Sequence, residues 1–522
     1  MKKKFNTAGI CNPQLHYMAD ISGKIDQIML LIEQCEYFTI NRPHQYGKTT
    51  IQSNLANLLN YNNEYIALDI SFEAIDYEIY QNKSAFIDAF LRRLSSCFNL
   101  YSHNNLSLFV ANELGKIENF DNLSTFIGEL IIKTQKKLVL IIDEVDRSSN
   151  NQLFLDFLAI LRDRYLMRNK NLNFPTFHSV VLSGVYDVKK LKYRIEPSAT
   201  LKYNSPWNIA VDFEIDLNLN TKEIISMLDV YSAEKNILMN KNEIADKIWY
   251  YTSGYPFLIS NLCKIVDEKI IPERENKNWT VEDIDNAFKI ILYQQNTNFE
   301  HLIKSLENNP QLYQTVFDIL INSNIVTFNQ HNPIIDLGFT LGVFGRQANR
   351  VKIHNKIYEQ IIYNYLISKT ETSNQMPTYE GKYIKNKALD INKLLLGFQL
   401  FMQENHSGKN KEFLEKHGTL LFLAYTQPII NGQGFAFKET QISEERRLDV
   451  VITYLEQKYI IEIKIWHGEN AHQEGLEQLS DYLDKQNLKK GYLLIFDFRM
   501  NEKKYKNQQI IHNDKDIFAV WV

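Results

Sequence analysis

The first 220 residues alternate between short apolar runs, which suit buried strands, and longer amphipathic stretches, which suit helices. The apolar runs occupy residues 36–40, 65–70, 138–143 and 180–183. The helix-type stretches occupy residues 51–59, 84–98 and 123–134. Alternation of this kind favours a parallel sheet with helices on both faces, so the pattern predicts an α/β core in this part of the chain.

The pattern becomes helical from residue 221 to about residue 291. Residues 221–223 are typical of a helix N-terminus, and residues 252–256 predict a break between two helices. Further along, residues 312–321 favour a helix, whereas residues 334–335 and 351–353 favour strands. The polar stretch at residues 370–382 predicts a linker.

Near the C-terminus, two strand-type runs carry charges that a sheet interior tolerates poorly. These runs are residues 447–452 and 459–466. Glu462 and Lys464 are two apart on the second strand and therefore face the same side, and we expect Asp449 to converge with them. Two acids and a lysine so placed can bind a divalent metal and activate a water. An ordinary half-exposed strand with an ion pair would show the same alternation.

The helix-type stretch at residues 475–483 follows this strand pair directly. It places Gln478 and Tyr482 one turn apart on one helix face. These two side chains are therefore candidates to complete a site that begins with the charged strand.

A phosphate-binding pattern follows the first apolar run of the chain. Gly47 permits close backbone approach to phosphate, Lys48 can reach the β- and γ-phosphates, and Thr49, which precedes Thr50, can ligate magnesium. Arg42 occupies the place of the first glycine in this Walker A pattern, so the match is incomplete.

A second acidic element, of the Walker B type, closes the apolar run at residues 137–142. Asp143 would hold magnesium through water, and Glu144 would polarise the attacking water. Ser183 ends the next strand and is a candidate sensor of the γ-phosphate, although serine at a strand end is more often a turn former. Arginines able to act on a neighbouring chain's γ-phosphate are Arg162, Arg164 and Arg194, and the sequence does not choose among them.

Length and composition suit a globular protein of several domains. The chain has 522 residues, of which 44% are hydrophobic and 23% are charged. No apolar run reaches the roughly 18 residues that a spanning helix needs, and no signal-type stretch follows Met1, so we expect a cytoplasmic protein without membrane contact. The four cysteines lack metal or disulfide spacing. The net charge of −4 implies that any contact with DNA comes from local patches.

The C-terminal motifs resemble the PD-(D/E)XK nuclease superfamily. Asp449 matches its aspartate, and Glu462 with Lys464 matches its (D/E)-x-K. Gln478 and Tyr482 match the Q-x-x-x-Y helix of its exonuclease-type branch. The resemblance also implies a helix-borne glutamate at the metal site. Glu415 is the best match for that residue, and Glu412 is a close rival.

The Arg-Pro-x-x-x-Gly-Lys-Thr loop resembles that of the AAA-like ATPase that is fused to such a nuclease in a widespread bacterial family. The resemblance covers nearly the whole chain and includes residues 204–209, for which we find no role beyond a turn. It implies an AAA-like P-loop ATPase core at 1–220, a helical lid at 221–295, a winged-helix-like module at 296–369, a linker at 370–386 and an α/β nuclease-like domain at 387–522.

The resemblance implies a protein that binds and hydrolyses ATP and cleaves DNA with Mg²⁺, for which Mn²⁺ can substitute. Asp449, Glu462 and Glu415 would bind the metal of the nuclease, and Thr49 with Asp143 would bind that of the ATPase. A homo-oligomer and a role in defence against foreign DNA are further expectations, while RNA as substrate stays open. The alternative is a nucleotide-dependent switch or scaffold whose C-terminal domain binds nucleic acid or protein without cleaving.

Overall fold

The computed structural model divides the chain into two compact units. The first comprises residues 1–298 and 337–343, and the second comprises residues 299–336 and 344–522. The residues that the structure describes are 2–148, 151–186, 207–211, 213–321, 324–373, 383–385, 388–405, 411–430, 434–437, 450–455, 457–466, 468–497 and 505–522.

A four-stranded parallel sheet forms the centre of the first unit, in the order β1-β4-β3-β2. Its strands are β1 (Tyr37–Asn41), β2 (Tyr65–Ser71), β3 (Lys137–Asp143) and β4 (Ser179–Gly184). The helices around it are α1 (Ser22–Glu33), α2 (Lys48–Tyr61), α3 (Lys83–Leu100), α4 (Asn104–Ala111), α5 (Phe120–Thr134) and α6 (Gln152–Lys170). The predicted α/β core is confirmed.

Strand β3 shows why the apolar runs fold as they do. Leu138, Leu140 and Ile142 share one buried cluster with side chains of α3, α5 and α6. Val139 and Ile141 alternate with them and are equally buried on the other face. A strand covered on both faces reads as a continuous apolar run, which is the pattern that the sequence shows.

The residues after β4 extend this sheet. Trp207 is fully buried and stacks on Tyr37 with ring centroids 5.9 Å apart, and Val211 forms a parallel bridge to Phe38. Residues 204–206 of the matched segment lie outside the described residues. The described part of that segment therefore has a packing role that sequence analysis did not find.

Four helices follow the sheet in the first unit: α7 (Thr221–Lys235), α8 (Lys241–Thr252), α9 (Pro256–Ile265) and α10 (Val281–Ile291). The cap of α7 is Asn220, one residue before the predicted signal, and it forms a capping box with Glu223. Gly254 has a φ of 82° and Pro256 opens α9, so the predicted break between helices is confirmed.

The next elements are α11 (Thr297–Glu307), α12 (Pro310–Leu320), α13 (Pro333–Thr340), β5 (Phe344–Gln347), β6 (Arg350–Ile353) and α14 (Lys356–Ser373). The predicted strand at residues 334–335 is wrong, because these residues belong to α13. The side chain of Asn332 accepts hydrogen bonds from the amides of Ile334 and Ile335 at 3.0 and 3.3 Å, and Pro333 suits a first helical position. The predicted linker begins inside α14, and residues 374–382 lie outside the described part of the chain.

A mixed six-stranded sheet ends the second unit, in the order β13-β14-β12-β11-β10-β9. Strands β11, β12 and β14 run parallel at its centre, and its other pairs are antiparallel. The elements of this part are β7 (Ile384–Lys385), β8 (Ala388–Leu389), α15 (Ile391–Asn405), α16 (Lys411–Ile430), β9 (Gly434–Phe437), β10 (Val450–Tyr454), β11 (Gln457–Ile465), α17 (Glu469–Lys485), β12 (Lys490–Phe496), β13 (Asn507–His512) and β14 (Lys515–Trp521).

Within the described ranges, every helix is too short or too polar to cross a membrane.

Replacing Leu140 with alanine should lower the free energy of unfolding by about 2–5 kcal/mol, because the change leaves a cavity in a close-packed core. Ile132→Ala on α5 is the control, since Ile132 is 68% exposed while Leu140 is 0% exposed. Urea denaturation of the two variants measures the difference. Equal losses would show that the face of β3 toward α5 is not the packed core described.

Candidate active sites

The loop between β1 and α2 carries the predicted phosphate-binding residues. Gly47 has a φ of 80°, which favours glycine because a side chain is strained there. Gly47 also occupies the N-cap position of α2 and has no side chain to cap the helix. The amides of the first turn of α2 therefore face an open position, which suits an anionic ligand such as phosphate.

Lys48 is the buried charge of this loop. Its residue is only 5% exposed, and its Nζ atom donates hydrogen bonds to the carbonyl oxygens of Arg42 and Pro43 at 2.8 and 2.9 Å. Burial lowers the pKa of Lys48, while the nearby Glu144 and Asp143 oppose that effect. The loop thus satisfies the ammonium group with its own backbone carbonyls.

Thr49 of α2 and Asp143 of β3 meet at the centre of the site, as expected if both bind the same magnesium ion. The Thr49 hydroxyl donates to Oδ2 of Asp143 at 2.9 Å, and the Glu144 amide donates to Oδ1 at 2.9 Å. A hydroxyl beside a carboxylate is an oxygen donor set that fits Mg²⁺. Burial is the main cause that raises the pKa of Glu144, and the charge of Asp143 raises it further.

Two further predicted residues of this site are Thr50 and Ser183. The Thr50 hydroxyl accepts a hydrogen bond from the Cys11 amide at 3.1 Å, which ties α2 to the N-terminal segment. Ser183 is fully buried at the end of β4 and is paired with Ile40 of β1. Its hydroxyl has no hydrogen-bond partner among the described residues. A buried hydroxyl in that state costs free energy, so Ser183 is well placed to accept a ligand contact.

Arg42 braces the loop. Its guanidinium donates to the carbonyl oxygens of Asn41 and Ile215 at 2.8 and 2.7 Å and lies 5.4 Å from the centre of the Phe213 ring. Burial lowers the pKa of Arg42. Arg42 occupies the position of the first glycine in the full Walker A pattern, and its side-chain contacts hold the backbone there. A contact of Arg42 with nucleotide stays a prediction.

The three other arginines have different surroundings. Arg164 is 4% exposed and donates to the hydroxyl of Ser124 at 3.1 Å, so it cannot reach a neighbouring chain. Arg162 donates to Asn208 at 3.0 Å and lies nearer the surface. Arg194 lies outside the described residues.

An apolar cavity of about 180 Å³ borders the phosphate loop within the first unit. Gly47 and Thr50 form one side of it. The N-terminal segment and the helices after the sheet supply the apolar lining, which includes Ala8, Met18, Ile21, Leu219, Met227 and Phe257. Sequence analysis missed this cavity, because its lining comes from segments far apart in the chain.

Asp69 is a second feature that sequence analysis missed. It lies inside β2, one strand away from Asp143. Burial and, to a smaller extent, the charge of Asp143 raise the pKa of Asp69 to about 6. An acidic residue inside an apolar strand run was the signal that could have found it.

In the second unit, Glu462, Lys464 and Gln478 form a continuous polar chain. Lys464 Nζ lies 2.8 Å from Oε1 of Glu462 and donates to Oε1 of Gln478 at 2.9 Å. Glu462 is only 1% exposed. The predicted shared face of Glu462 and Lys464 is confirmed, and α17 brings Gln478 to the same place.

Tyr482 contacts a different lysine of the same strand. It is 5% exposed and belongs to the core between the sheet and α17. Its hydroxyl accepts a hydrogen bond from Lys458 at 3.4 Å, and Lys458 also donates to Gln486 at 3.0 Å. Gln478 and Tyr482 thus lie one turn apart on α17 but contact opposite ends of β11.

Two of the predicted metal ligands are not among the described side chains. Asp449 lies outside the described residues, and Glu415 belongs to α16 without a described side chain. Among the side chains that are described, no group of three His, Cys, Asp or Glu could hold a metal ion. The positions of Asp449 and Glu415 therefore stay predictions.

A parallel sheet with a Gly-Lys-Thr loop after β1 and an acidic pair at the end of β3 defines the first unit as a P-loop ATPase domain. Residues 21–364 match the family described as the AAA-like domain, and the chain belongs to that family. Residues 433–507 match the PD-(D/E)XK nuclease superfamily. The predicted resemblance and fold class are both confirmed.

Several solved structures share part of this architecture at low sequence identity. A Walker-type ATPase of Pyrococcus abyssi is 13% identical over 69% of this chain and 99% of its own, with a TM-score of 0.45. The ORC2 protein of Aeropyrum pernix is 10% identical over 70% of this chain and 98% of its own, with a TM-score of 0.36. RuvB of Thermotoga maritima is 12% identical over 66% of this chain and 95% of its own, with a TM-score of 0.35. Similarities this weak carry no argument about function.

The chain matches none of the curated proteins with which it was compared.

Asp69→Asn should raise the free energy of unfolding at neutral pH. The raised pKa of about 6 means that the folded chain holds a proton that the unfolded chain has released above about pH 4. The carboxyl group therefore costs stability as the pH rises from about 4 to about 6, and the variant gains up to about 3 kcal/mol above that window. Urea titrations of both proteins across this pH range measure the gain, and a gain that does not change with pH would contradict the assignment.

Proposed function

We propose that this chain binds and hydrolyses ATP at the loop between β1 and α2 and cleaves DNA phosphodiester bonds at β11. The observation that carries the first activity is the contact of Thr49 with Asp143 beside the buried Lys48. The observation that carries the second is the chain of Glu462, Lys464 and Gln478. Each set matches the chemistry of the family to which its part of the chain is assigned.

In the ATPase site, each residue would have its own role. Lys48 leaves its two backbone carbonyls to contact the β- and γ-phosphates. The raised pKa of Glu144 suits a base that accepts a proton from the attacking water. Ser183 offers its buried hydroxyl to the γ-phosphate. Arg42, Gly47 and Thr50 hold the loop and the first turn of α2 in place.

Metal binding at this site rests on Thr49 and Asp143. Their hydroxyl and carboxylate oxygens would hold Mg²⁺, or Mn²⁺ as a substitute, and the metal when bound supplies positive charge next to the phosphates. The apolar cavity beside Gly47 and Thr50 would accept the adenine base, because an aromatic base suits an apolar lining.

In the nuclease site, Glu462 would share Mg²⁺ with Asp449 and Glu415. Its carboxylate fits this role, since carboxylate oxygens are ligands that Mg²⁺ prefers and Lys464, at 2.8 Å, holds this carboxylate in place. Lys464 positions the attacking water and stabilises the charge that develops on phosphorus oxygens. Gln478 orients Lys464, and Tyr482 fixes α17 against β11 through Lys458.

The domain division is also part of this proposal. Residues 1–220 form the ATPase core, 221–295 the lid, 296–369 a winged-helix-like module and 387–522 the nuclease-like domain, with 370–386 as the linker. DNA is the proposed partner, assembly into a homo-oligomer is expected, and the two activities together would suit defence against foreign DNA.

Lys48→Ala should reduce ATP turnover at least about a hundredfold, because it removes the charge that contacts the β- and γ-phosphates. Lys137→Ala is the matched control, since Lys137 begins β3 and pairs with Glu64 at 3.0 Å. Phosphate release by the purified proteins measures the effect. Equal turnover of Lys48→Ala and wild type would place ATP hydrolysis elsewhere or remove it from the proposal.

Lys464→Met should leave metal binding intact and slow DNA cleavage at least about a hundredfold, which is about 3 kcal/mol in the chemical step. The methionine keeps an apolar stem but removes the charge beside Glu462. Lys393→Met is the matched control, since Lys393 is exposed on α15 and also pairs with a carboxylate, that of Asp390 at 3.7 Å, and it should cut at close to the wild-type rate. Single-turnover cleavage of linear and closed circular DNA, with Mg²⁺ or Mn²⁺, measures both variants.

Two results would count against the nuclease. Wild-type protein that leaves DNA and RNA intact with either metal, with and without ATP, would leave the chain as a switch or scaffold. Equal rates for Lys464→Met and Lys393→Met would mean that the ion pair with Glu462 stabilises only the strand.

A further inference from the structure

The five residues that lead to Gly47 are each held by a segment far away in the chain. None of these segments belongs to the phosphate-binding pattern of the sequence. The contacts join Arg42 to the carbonyl of Ile215, Pro43 to Gly342, the carbonyl of His44 to the Tyr255 hydroxyl at 2.6 Å, Gln45 to the Thr297 hydroxyl at 3.2 Å and Tyr46 to Asn218.

The approach of Gly342 to the loop leaves no room for a side chain. A Cβ atom at this position would lie 2.6 Å from Cγ and 3.0 Å from Cβ of Pro43. Distances this short mean that the backbone of Gly342 rests directly on the proline ring. Any side chain there would have to push the ring, and the phosphate loop with it.

Gly342 also ends α13. The amide of Val343 donates to the carbonyl of Gly338 at 2.9 Å, and the amide of Gly342 donates to that of Phe339 at 3.0 Å. This pair of bonds is the Schellman arrangement, which places a left-handed residue after the helix, and Gly342 has a φ of 72°. A helix end alone explains the glycine's backbone angle, but it does not explain the contact with Pro43.

Pro43 connects this contact to the buried charge. Its carbonyl oxygen accepts a hydrogen bond from Lys48 at 2.9 Å, while its ring packs against the backbone of Gly342. We propose that Gly342 is a positioning residue for the nucleotide site, which acts through Pro43 on the carbonyl groups that hold Lys48. The proposal rests on nucleotide binding at this loop.

The position of Gly342 in the chain means that a change in its contact with Pro43 falls where the chain passes between the two units. Residues 337–343 belong to the first unit, whereas residues 299–336 and 344–522 belong to the second. The chain thus enters the first unit a few residues before Gly342 and leaves it directly after Val343. Binding that moves Lys48 away from Pro43 is therefore linked to the conformation of the turn, and the linkage is reciprocal in free energy.

Gly342→Ala should weaken the binding of Mg·ADP at least about tenfold, because the added methyl group displaces the loop that must receive the phosphates. Gly115→Ala is the matched control. Gly115 has nearly the same strained φ of 74° but no atom within 4 Å of an added Cβ. It should bind Mg·ADP within about twofold of wild type. Calorimetry or a fluorescent ADP analogue measures the affinities, which do not depend on turnover.

A rescue variant separates positioning from general loss of structure. Pro43→Ala removes the Cγ atom that lies nearest to the added methyl group, so the double variant Gly342→Ala with Pro43→Ala should recover part of the lost affinity. A double variant no better than Gly342→Ala would overturn the proposal.

Hydrogen exchange of the wild-type protein supplies a measurement that needs no variant at Gly342. Mg·ADP should change the exchange of the amides of Gly342 and Val343 in wild type but not in Lys48→Ala. A wild-type protein that binds no nucleotide would contradict the proposed ATP binding itself. Wild type that binds nucleotide with unchanged exchange here, or equal affinities of the two glycine variants, would overturn this inference alone.

Discussion

The ammonium group of Lys48 lies where water is almost excluded, and this constraint decides how the surrounding residues are arranged. A buried charge needs partners, because its loss of hydration is otherwise unfavourable. The partners of Lys48 are two backbone carbonyls, those of Arg42 and Pro43. The positions of these carbonyls depend in turn on what Arg42 and Pro43 contact. The geometry of the loop is therefore set by the packing of the whole first unit.

The sequence predicts the sheets well because burial on both faces leaves a direct signature. The apolar run of β3 and the alternation around Glu462 follow from strand periodicity alone. The strand expected at residues 334–335 fails for a physical reason, since two apolar residues fit either structure and the cap at Asn332 favours the helix. Strands and their facing side chains were thus predictable, but a short segment governed by its cap was not.

The candidate sites show the same division. The meeting of Thr49 with Asp143 was predictable from the sequence, because the Gly-Lys-Thr loop and the acidic end of an apolar strand together indicate one magnesium site. Other features depend on contacts between distant segments. These are the hydrogen bond of Arg42 to Ile215, the charge of Asp69 near Asp143 and the pairing of Tyr482 with Lys458. No local pattern contains such contacts, because each needs the tertiary fold before the two groups are neighbours.

The two carbonyl bonds of Lys48 also act as an internal competitor. Any phosphate that binds must displace Arg42 and Pro43 as hydrogen-bond acceptors, so part of its attraction to Lys48 is cancelled by bonds already present. The affinity of the loop for any anion is therefore a difference between two sets of hydrogen bonds. A change that moves either carbonyl group changes that difference, even when it leaves Lys48 itself untouched.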